Sequence, residues 1–192
     1  MVTWIKRTSQ PSADEVALFE ELVRQYEQQM YRVAYRLTGN HEDAQDLIQD
    51  ALYEAFRNFD RFEPGTRFDR WLYRIMTNRH IDRVRKQSKV TVLSLDQPQE
   101  SDDGREQSWE LPDEEEDPAE KVIREVLDER IQEALDELPE EYRLAVILAD
   151  LEDLTYEEVS QVLGCPIGTV RSRLHRGRNL LREKLKTLYG RD

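Results

Sequence analysis

The sequence predicts an all-α protein of two small helical domains joined by a flexible acidic linker. Apolar residues recur at helical spacing in both halves of the 192-residue chain, and no segment shows a convincing strand pattern. An acidic stretch rich in Ser, Gln and Pro, residues 95–118, separates the two halves. We therefore place the first domain at residues 1–90, the linker at 91–120 and the second domain at 121–192.

The first domain is predicted to contain three helices. Gly39 is suited to the C-terminus of the first helix, and Asn40 can cap the second. A turn at 63–66 leads to a third helix at about 67–85. The residues predicted to face the core are Phe19, Leu22, Val23, Tyr26, Met30, Val33, Ala34 and Leu37 in the first helix, Ala44, Leu47, Ile48, Ala51, Ala55, Phe56 and Phe59 in and just after the second, and Phe68, Leu72, Ile75 and Met76 in the third.

The linker holds nearly all of the excess acid. The chain has a formal net charge of −13, and residues 91–129 alone carry three basic and fifteen acidic side chains. A segment of this composition cannot bury enough apolar area to offset chain entropy, so we expect it to be flexible. The acidic total does not exclude nucleic acid as a partner, because the charge on one face decides binding.

The second domain is predicted to end in a helix-turn-helix. An amphipathic helix over residues 122–138 stops at Pro139, and another follows over 142–151. Thr155 and Glu158 form a capping box at the start of the next helix. Gly164 ends that helix and Pro166 opens the last one.

The last helix has an apolar side and a basic side. Residues 165–191 include eight basic side chains and one acid, Glu183. Such a helix behind a turn is typical of major-groove binding, with some arginines reading guanine and flanking ones holding phosphates. A solvated basic surface is the alternative. The predicted packing residues are Val170, Leu174, Gly177, Leu181, Leu185 and Leu188, and the predicted duplex-contacting residues are Gly168, Arg171, Ser172, Arg173, His175, Arg176, Arg178, Asn179 and Arg182.

Two further surfaces are open to more than one interpretation. The third helix carries a stripe with Trp71 and Tyr73 beside it, which suits single-stranded DNA; a core Trp71 among solvated arginines explains it equally well. The second helix carries an acidic and polar row that is either solvated, the simpler interpretation, or a docking surface. The stripe is Arg67, Arg70, Arg74, Asn78, Asp82 and Arg85, and the row is Asp43, Asp46, Gln49, Asp50 and Glu54.

The sequence offers little for catalysis. His41, His80 and His175 lie in separate segments and lack metal-ligand spacing with Cys165, the single cysteine. There is no phosphate-binding glycine loop and no nucleophile motif. We expect a non-enzyme without cofactor or metal. The chain shows no apolar run long enough for a membrane span and no signal-type N-terminus, so we expect a cytoplasmic protein without membrane insertion.

Four motifs together resemble the bacterial extracytoplasmic-function (ECF) sigma factors, the sigma-E or sigma-W kind within the sigma-70 family. They are GNHEDAQDLIQDALYEAF at Gly39–Phe56, FDRWLYRIMTNRHIDRVRK at Phe68–Lys86, LPEEYRLAVIL at Leu138–Leu148 and CPIGTVRSRLHRGRNLLREKL at Cys165–Leu185. The resemblance implies a sigma region 2 bundle, a sigma region 4 helix-turn-helix, and promoter-specific transcription initiation with core RNA polymerase.

The resemblance also implies roles for residues. Asp43, Asp46, Gln49 and Asp50 would dock on the β′ clamp helices of the polymerase, whose β subunit is also a partner. The last helix would read the −35 element through Arg171, Ser172, His175 and Arg176, and the linker would thread toward the polymerase cleft. An anti-sigma partner is expected. The −10 element would be melted and held by the third helix and the preceding loop, through Phe62, Arg67, Phe68, Arg70, Trp71, Arg74, Asn78, Asp82 and Arg85, with a flipped base near Asn78.

Two alternative functions remain compatible with the sequence. A stand-alone helix-turn-helix regulator would need only the second domain and would bind duplex DNA as a dimer. It leaves the arginine-aromatic stripe and the acidic row without a role. A nucleic-acid enzyme would need a metal or acid/base constellation.

Overall fold

The computed structural model describes residues 12–94 and 129–189, with side chains described from 12 to 86 and from 130 to 189. Every regular element in these ranges is helical, which confirms the predicted all-α class. A 3₁₀ turn at Phe59–Arg61 and a π turn at Ile147–Leu151 supplement the helices. The helices are α1 (Ala13–Thr38), α2 (His41–Arg57), α3 (Phe68–Ser94), α4 (Glu129–Asp136), α5 (Glu140–Val146), α6 (Tyr156–Leu163) and α7 (Ile167–Tyr189).

Helix ends in the first domain follow the predicted capping residues. Ser12, which was not among the predicted caps, begins α1 through a reciprocal capping box with Glu15. Gly39 follows α1 with a φ of 79°, in the left-handed region that glycine adopts without a steric penalty. The Asn40 side chain accepts the Asp43 amide at 2.8 Å and so starts α2. These caps place α2 directly after α1.

The third helix is longer than predicted. It was expected to end near residue 85, but α3 continues to Ser94, so residues 91–94, assigned to the linker, are helical. The physical reason is that no glycine or proline occurs between Arg67 and Gln97 to stop the helix. The rest of the predicted linker and residues 122–128 of the predicted amphipathic helix lie outside the described residues.

The second domain follows its predicted breaks. Pro139 separates α4 from α5, and the predicted helix over 142–151 is α5 continued by the π turn, where the Glu152 amide donates to the Ile147 carbonyl at 3.0 Å. Thr155 and Glu158 form both bonds of the predicted capping box. Gly164, with a φ of 60°, ends α6 before the turn into α7.

The first domain has an aromatic core. Phe19, Phe59, Phe62 and Phe68 pack edge to face or stacked at ring centroid distances of 5.1–6.5 Å.

The two domains pack against each other. The helices α1 and α3 also contact α4, α6 and the π turn, and buried apolar residues continue from one domain into the other. No described helix has the length and apolar character needed to cross a membrane.

Candidate nucleic-acid interface

The last helix, α7, separates its packing side from its polar side as predicted. Val170, Leu174 and Gly177 are buried against α5 and α6, while Leu181, Leu185 and Leu188 are half-buried. The opposite side forms the α7 polar face, which is open to solvent along its length. Its exposed residues are Gly168, Arg171, Ser172, His175, Arg176 and Asn179.

Several cations of α7 bind their own domain. Arg178 makes two bonds to the Asp150 carboxylate, at 2.6 and 2.9 Å, and one to the Tyr156 hydroxyl at 3.3 Å. These bonds, first of all those to Asp150, raise the pKa of Arg178 above its ordinary value. Arg173 lies 3.3 Å from a Glu141 oxygen. Arg178 and Arg173 therefore hold α7 on the rest of its domain.

Other polar side chains remain more available. Arg176 donates to the Tyr142 hydroxyl at 3.4 Å, and this bond raises the pKa of Arg176. Asn179 lies between its helix neighbours His175, at 3.2 Å, and Arg182, at 3.3 Å. Within the described part of the chain, Arg171 has no protein partner. The centre of the face thus carries short polar groups and solvent-facing guanidinium groups.

Two glycines of α7 have opposite surroundings. A Cβ on Gly177 would lie 2.8 Å from Val146 Cγ2 and 3.3 Å from Tyr142, so only hydrogen fits. A Cβ on Gly168 would meet no atom within 4 Å. Gly177 lets α7 approach α5 closely, whereas Gly168 leaves open space at the start of the polar face.

The predicted stripe on α3 is only partly a surface. Arg74, Asn78, Asp82 and Arg85 are exposed. Arg67 is also exposed and pairs with Asp69 at 2.7 Å. Trp71 is half-buried against Phe59 and Phe62. The exposed positions from Arg74 to Arg85 recur every three or four residues and so share one side of α3.

Three aromatic residues near the stripe are buried: Phe68 lies in the core as predicted, whereas Phe62 and Tyr73 were expected at the surface. Phe62 is 7% exposed and Phe68 is 1% exposed, because both belong to the aromatic core. They support the loop before α3, and a contact of either ring with DNA stays a prediction. Tyr73, expected beside the stripe, is buried and donates to Glu152 of the second domain at 3.1 Å.

The acidic row on α2 lies on the surface. Asp46, Gln49 and Asp50 are exposed, while the Asp43 side chain is 40% exposed. Arg83 of α3 pairs with Asp43 at 2.6 Å and with Asp46 at 3.3 Å. A polar groove runs beside the row and is lined by Asp46, Gln49, Asp50, Arg79, Asp82, Arg83 and Lys86.

Sequence reasoning missed a buried ion cluster between the domains. Arg36 of α1 pairs with Glu152 at 2.5 Å, and the two side chains are 6% and 5% exposed. Burial lowers the pKa of Arg36 and raises the pKa values of Glu152 and Tyr73. Arg36 lies beside the predicted apolar stripe of α1, next to polar residues such as Gln29 and Arg32, so no local pattern marks it as buried, and nothing in the sequence identifies its partner 116 residues away.

Two further pairs cross between the domains. Arg70 of α3 donates to Glu158 of α6 at 2.7 Å. His80 of α3 is buried, and its Nε2 lies 2.8 Å from a Glu140 oxygen of α5. Glu140 also pairs with Arg143. Arg70, predicted to contact DNA, is thus occupied by a carboxylate of the second domain.

Comparisons with known proteins agree with these features. Family models described as "Sigma-70 region 2" and "Sigma-70, region 4" match residues 22–90 and 128–181. The chain is 40% identical to the ECF RNA polymerase sigma factor SigE of Mycolicibacterium smegmatis, over 95% of this chain and 71% of that protein. It is 34% identical to the ECF RNA polymerase sigma factor SigW of Bacillus subtilis, over 95% and 97% of the two chains.

A solved structure is similar in fold as well as in sequence. It is the sigma factor RpoE in complex with the anti-sigma factor NepR from Bartonella quintana, with 29% identity and a TM-score of 0.66, covering 88% of this chain and 96% of that one. Both family models fall on the two helical domains described above, and relatives match across nearly the whole chain. The chain therefore belongs to the ECF RNA polymerase sigma factors, non-enzymatic proteins that direct transcription initiation.

Proposed function

We propose that this sigma factor recognises a −35 element through the α7 polar face and a −10 element through α3, while α2 docks on core RNA polymerase. The observation that carries the proposal is the division of α7. Its apolar side is fixed in the second domain, and its exposed side presents Gly168, Arg171, Ser172, His175 and Arg176 together. A helix presented in this way fits the major groove.

Residues of α7 have different tasks in this proposal. Arg171 and Arg176 are exposed and can reach base edges, where a guanidinium can make two hydrogen bonds to guanine. Arg182 lies at the margin of the face, where a cation meets phosphate and sets the register of the helix on DNA. Arg173 and Arg178, held by Glu141 and Asp150, orient the helix and lie close enough to the margin to contact phosphate.

The first domain would hold unpaired DNA. Arg67, Arg74 and Arg85 supply exposed cations for the backbone, and half-buried Trp71 offers part of a ring for stacking. A flipped base would bind near Asn78, which is exposed on the same helix. Melting then occurs by capture, since binding an unstacked base recovers the free energy that flipping it costs.

The α2 row would bind a basic or polar groove of the polymerase. Its carboxylates are exposed on one helix side, and such a surface distinguishes a polymerase subunit from a stand-alone helix-turn-helix regulator. The Bartonella quintana relative forms a complex with an anti-sigma factor, and we extend such a partner to this protein. A factor acting with polymerase on the chromosome works in the cytoplasm.

Run-off transcription tests the proposal. Core RNA polymerase with the purified full chain is given a library of promoter fragments, and the start sites are sequenced. We expect initiation at a set of templates that share −35 and −10 sequences, with core enzyme alone as the control. Initiation that is the same with and without the chain, after removal of any bound inhibitor, would contradict the proposal.

A further inference from the structure

An open groove lies between α1 and α2. Its volume is about 300 Å³, and the surface exposed inside it is mostly apolar. Contact between water and apolar surface is unfavourable, so the groove favours an apolar occupant. The residues that line it are Phe19, Glu20, Val23, Arg24 and Glu27 of α1 and Leu52 of α2.

Phe19 connects this groove to the aromatic core of the first domain. Phe19 is 8% exposed, and its ring centroid lies 5.2 Å from that of Phe56 and 5.1 Å from that of Phe59. Both pairs have an edge-to-face geometry. A further aromatic ring in the groove extends this cluster in the arrangement that aromatic pairs prefer, so the groove suits an aromatic side chain.

The rim of the groove is acidic. Glu20 and Glu27 are exposed, and neither side chain forms an ion pair with another described residue. Residues 12–27 contain five acidic side chains and one basic side chain, Arg24. Such a rim attracts positive charge, so the occupant that fits best combines an aromatic residue with neighbouring cations.

Residues 1–11 have this composition. They read MVTWIKRTSQP, contain no acid, and directly precede Ser12, the N-cap of α1. Burying their large apolar side chains is favourable, and the groove is the neighbouring apolar surface. The apolar residues are Val2, Trp4 and Ile5, and the cations are Lys6 and Arg7.

The chain is long enough for this segment to fold back onto the groove. Val23 lies about 16 Å along the helix axis from Ser12. The chain from Trp4 to Ser12 spans up to about 27 Å, so the Trp4 ring can reach Val23. Residues 95–118 also contain a tryptophan, Trp109, but their acidic charge has the same sign as the rim, and repulsion disfavours them as the occupant.

We propose that residues 1–11 fold back and dock in this groove, with the Trp4 ring between α1 and α2 and the two cations at the acidic rim. Leu52 lies about one helical turn after Gln49 of the α2 row, so the docked segment supports the helix that presents the row. The inference is independent of the proposed function, because it concerns the free chain and is measured without polymerase or DNA.

Hydrogen exchange of the full chain tests the proposal. Trp4→Ala should make the backbone amides of residues 19–27 exchange roughly tenfold faster, because burial of one aromatic side chain shifts a local opening equilibrium by about this factor or more. Trp4→Phe keeps an aromatic ring and should retain most of the protection. The matched control is Trp109→Ala, which removes a tryptophan outside the proposed segment and should leave exchange in α1 unchanged.

The other outcomes of this measurement contradict the proposal. Unchanged exchange in Trp4→Ala overturns it. Faster exchange in Trp109→Ala alone assigns the groove to residues 95–118 and overturns it as well. Peptides from α6 serve as an internal reference for local opening, because α6 does not line the groove. If exchange rises equally in α1 and α6, the variant is destabilised as a whole and a cross-link decides.

Disulfide trapping tests the position of the segment without removing Trp4. Thr3→Cys is combined with Arg24→Cys, at the groove, in a Cys165→Ser background with oxidised glutathione. The control combines Thr3→Cys with Gln25→Cys, exposed on the same helix and turned about 100° from Arg24. A disulfide needs Cα atoms within about 7 Å, so the groove pair should close at least roughly tenfold faster. Equal closing rates overturn the proposal.

Discussion

At the residue scale, α7 contains two glycines whose substitution should have opposite effects. Gly177→Ala places a methyl group 2.8 Å from Val146 Cγ2, and Val146 is itself fully buried and has no room to move. Overpacking of this kind costs about 1–3 kcal/mol, more than the gain of about 1 kcal/mol from replacing a helical glycine. We expect a lower free energy of unfolding by denaturant. Gly168→Ala, where nothing lies within 4 Å, is the control and should be neutral or slightly stabilising.

Arg176 is predicted to contribute to the discrimination between DNA sequences. Arg176→Ala should weaken binding to the −35 sequence by roughly tenfold to a hundredfold while leaving binding to unrelated duplex nearly unchanged. Fluorescence anisotropy on matched duplexes measures both. Lys186→Ala, whose side chain pairs with Glu183 near the C-terminal end of α7, beyond the last residue named in the polar face, is the control. An equal loss on every duplex would mean that Arg176 contacts only phosphate.

The side of a helix on which a residue lies was predictable from the helical period of the sequence. Contacts with residues distant in the sequence were not. The 3.6-residue period put Val170 and Leu174 inside and His175 outside, as the structure has them. The same reasoning could not find that Arg178 binds Asp150 or that Tyr73 is turned toward Glu152. These contacts depend on how α5, the π turn and α3 meet, which no local pattern encodes.

At the element scale, α2 should govern polymerase binding. Asp50→Arg places a cation in a row of acids and beside Arg79, Arg83 and Lys86 of the neighbouring groove. Asp50 is exposed, so the fold should remain while association with core polymerase is lost. Co-elution on size exclusion measures association. Glu21→Arg, an exposed acid on α1, should co-elute normally, and co-elution of the Asp50 variant would remove the docking role from α2.

Glu140, at the start of α5, should make the free energy of unfolding depend on pH. Burial alone would raise the pKa of Glu140, but its contacts with His80 and Arg143 lower it below the ordinary value of 4.5. The folded protein therefore binds this proton less readily than the unfolded chain, so the stabilisation is complete above pH 4.5 and is lost as the pH falls through the folded pKa.

Denaturant unfolding at a series of pH values measures this contribution. Glu140→Gln removes it, so below pH 4.5 the variant should lose stability less steeply with falling pH than the wild type does. Glu133→Gln, an exposed acid on α4, is the control and should keep the wild-type slope. A Glu140 variant with the wild-type acid slope would show that the His80 and Arg143 contacts do not form in solution.

Helix ends were predictable where a glycine, a proline or a capping box marks them in the sequence. Gly39, Pro139 and the Thr155–Glu158 capping box mark helix ends in the structure as they do in the sequence. The end of α3 was wrong by about nine residues, because charged and polar composition suggested a linker while nothing in that stretch breaks a helix. The roles of the α2 row and the α3 stripe stay predictions.

At the scale of the whole molecule, the domain contact should couple the stability of the two halves. Removing one partner of a buried ion pair costs about 3–5 kcal/mol, so Glu152→Gln should uncouple domains that otherwise unfold together. Scanning calorimetry is expected to give one transition for the wild type and two for the variant. Glu157→Gln should keep one transition, and two transitions in the wild type would show that the domains are already independent.

The arrangement of the domains was the part that sequence could not supply. Two patterned halves and a charged stretch between them predict two domains, but ion pairs between residues as far apart as Arg36 and Glu152 leave no periodic trace. Only the fold shows that Glu140, Glu152 and Glu158 share one face.

The π turn at Ile147–Leu151 has a consequence for how homologous chains could diverge. A π turn is an α-helix that has gained one residue, and each residue advances a helix by about 100°. A single-codon deletion there would restore a regular helix and rotate the Glu152 carboxylate out of reach of Arg36. One indel could thus remove the buried ion pair that joins α1 to the second domain.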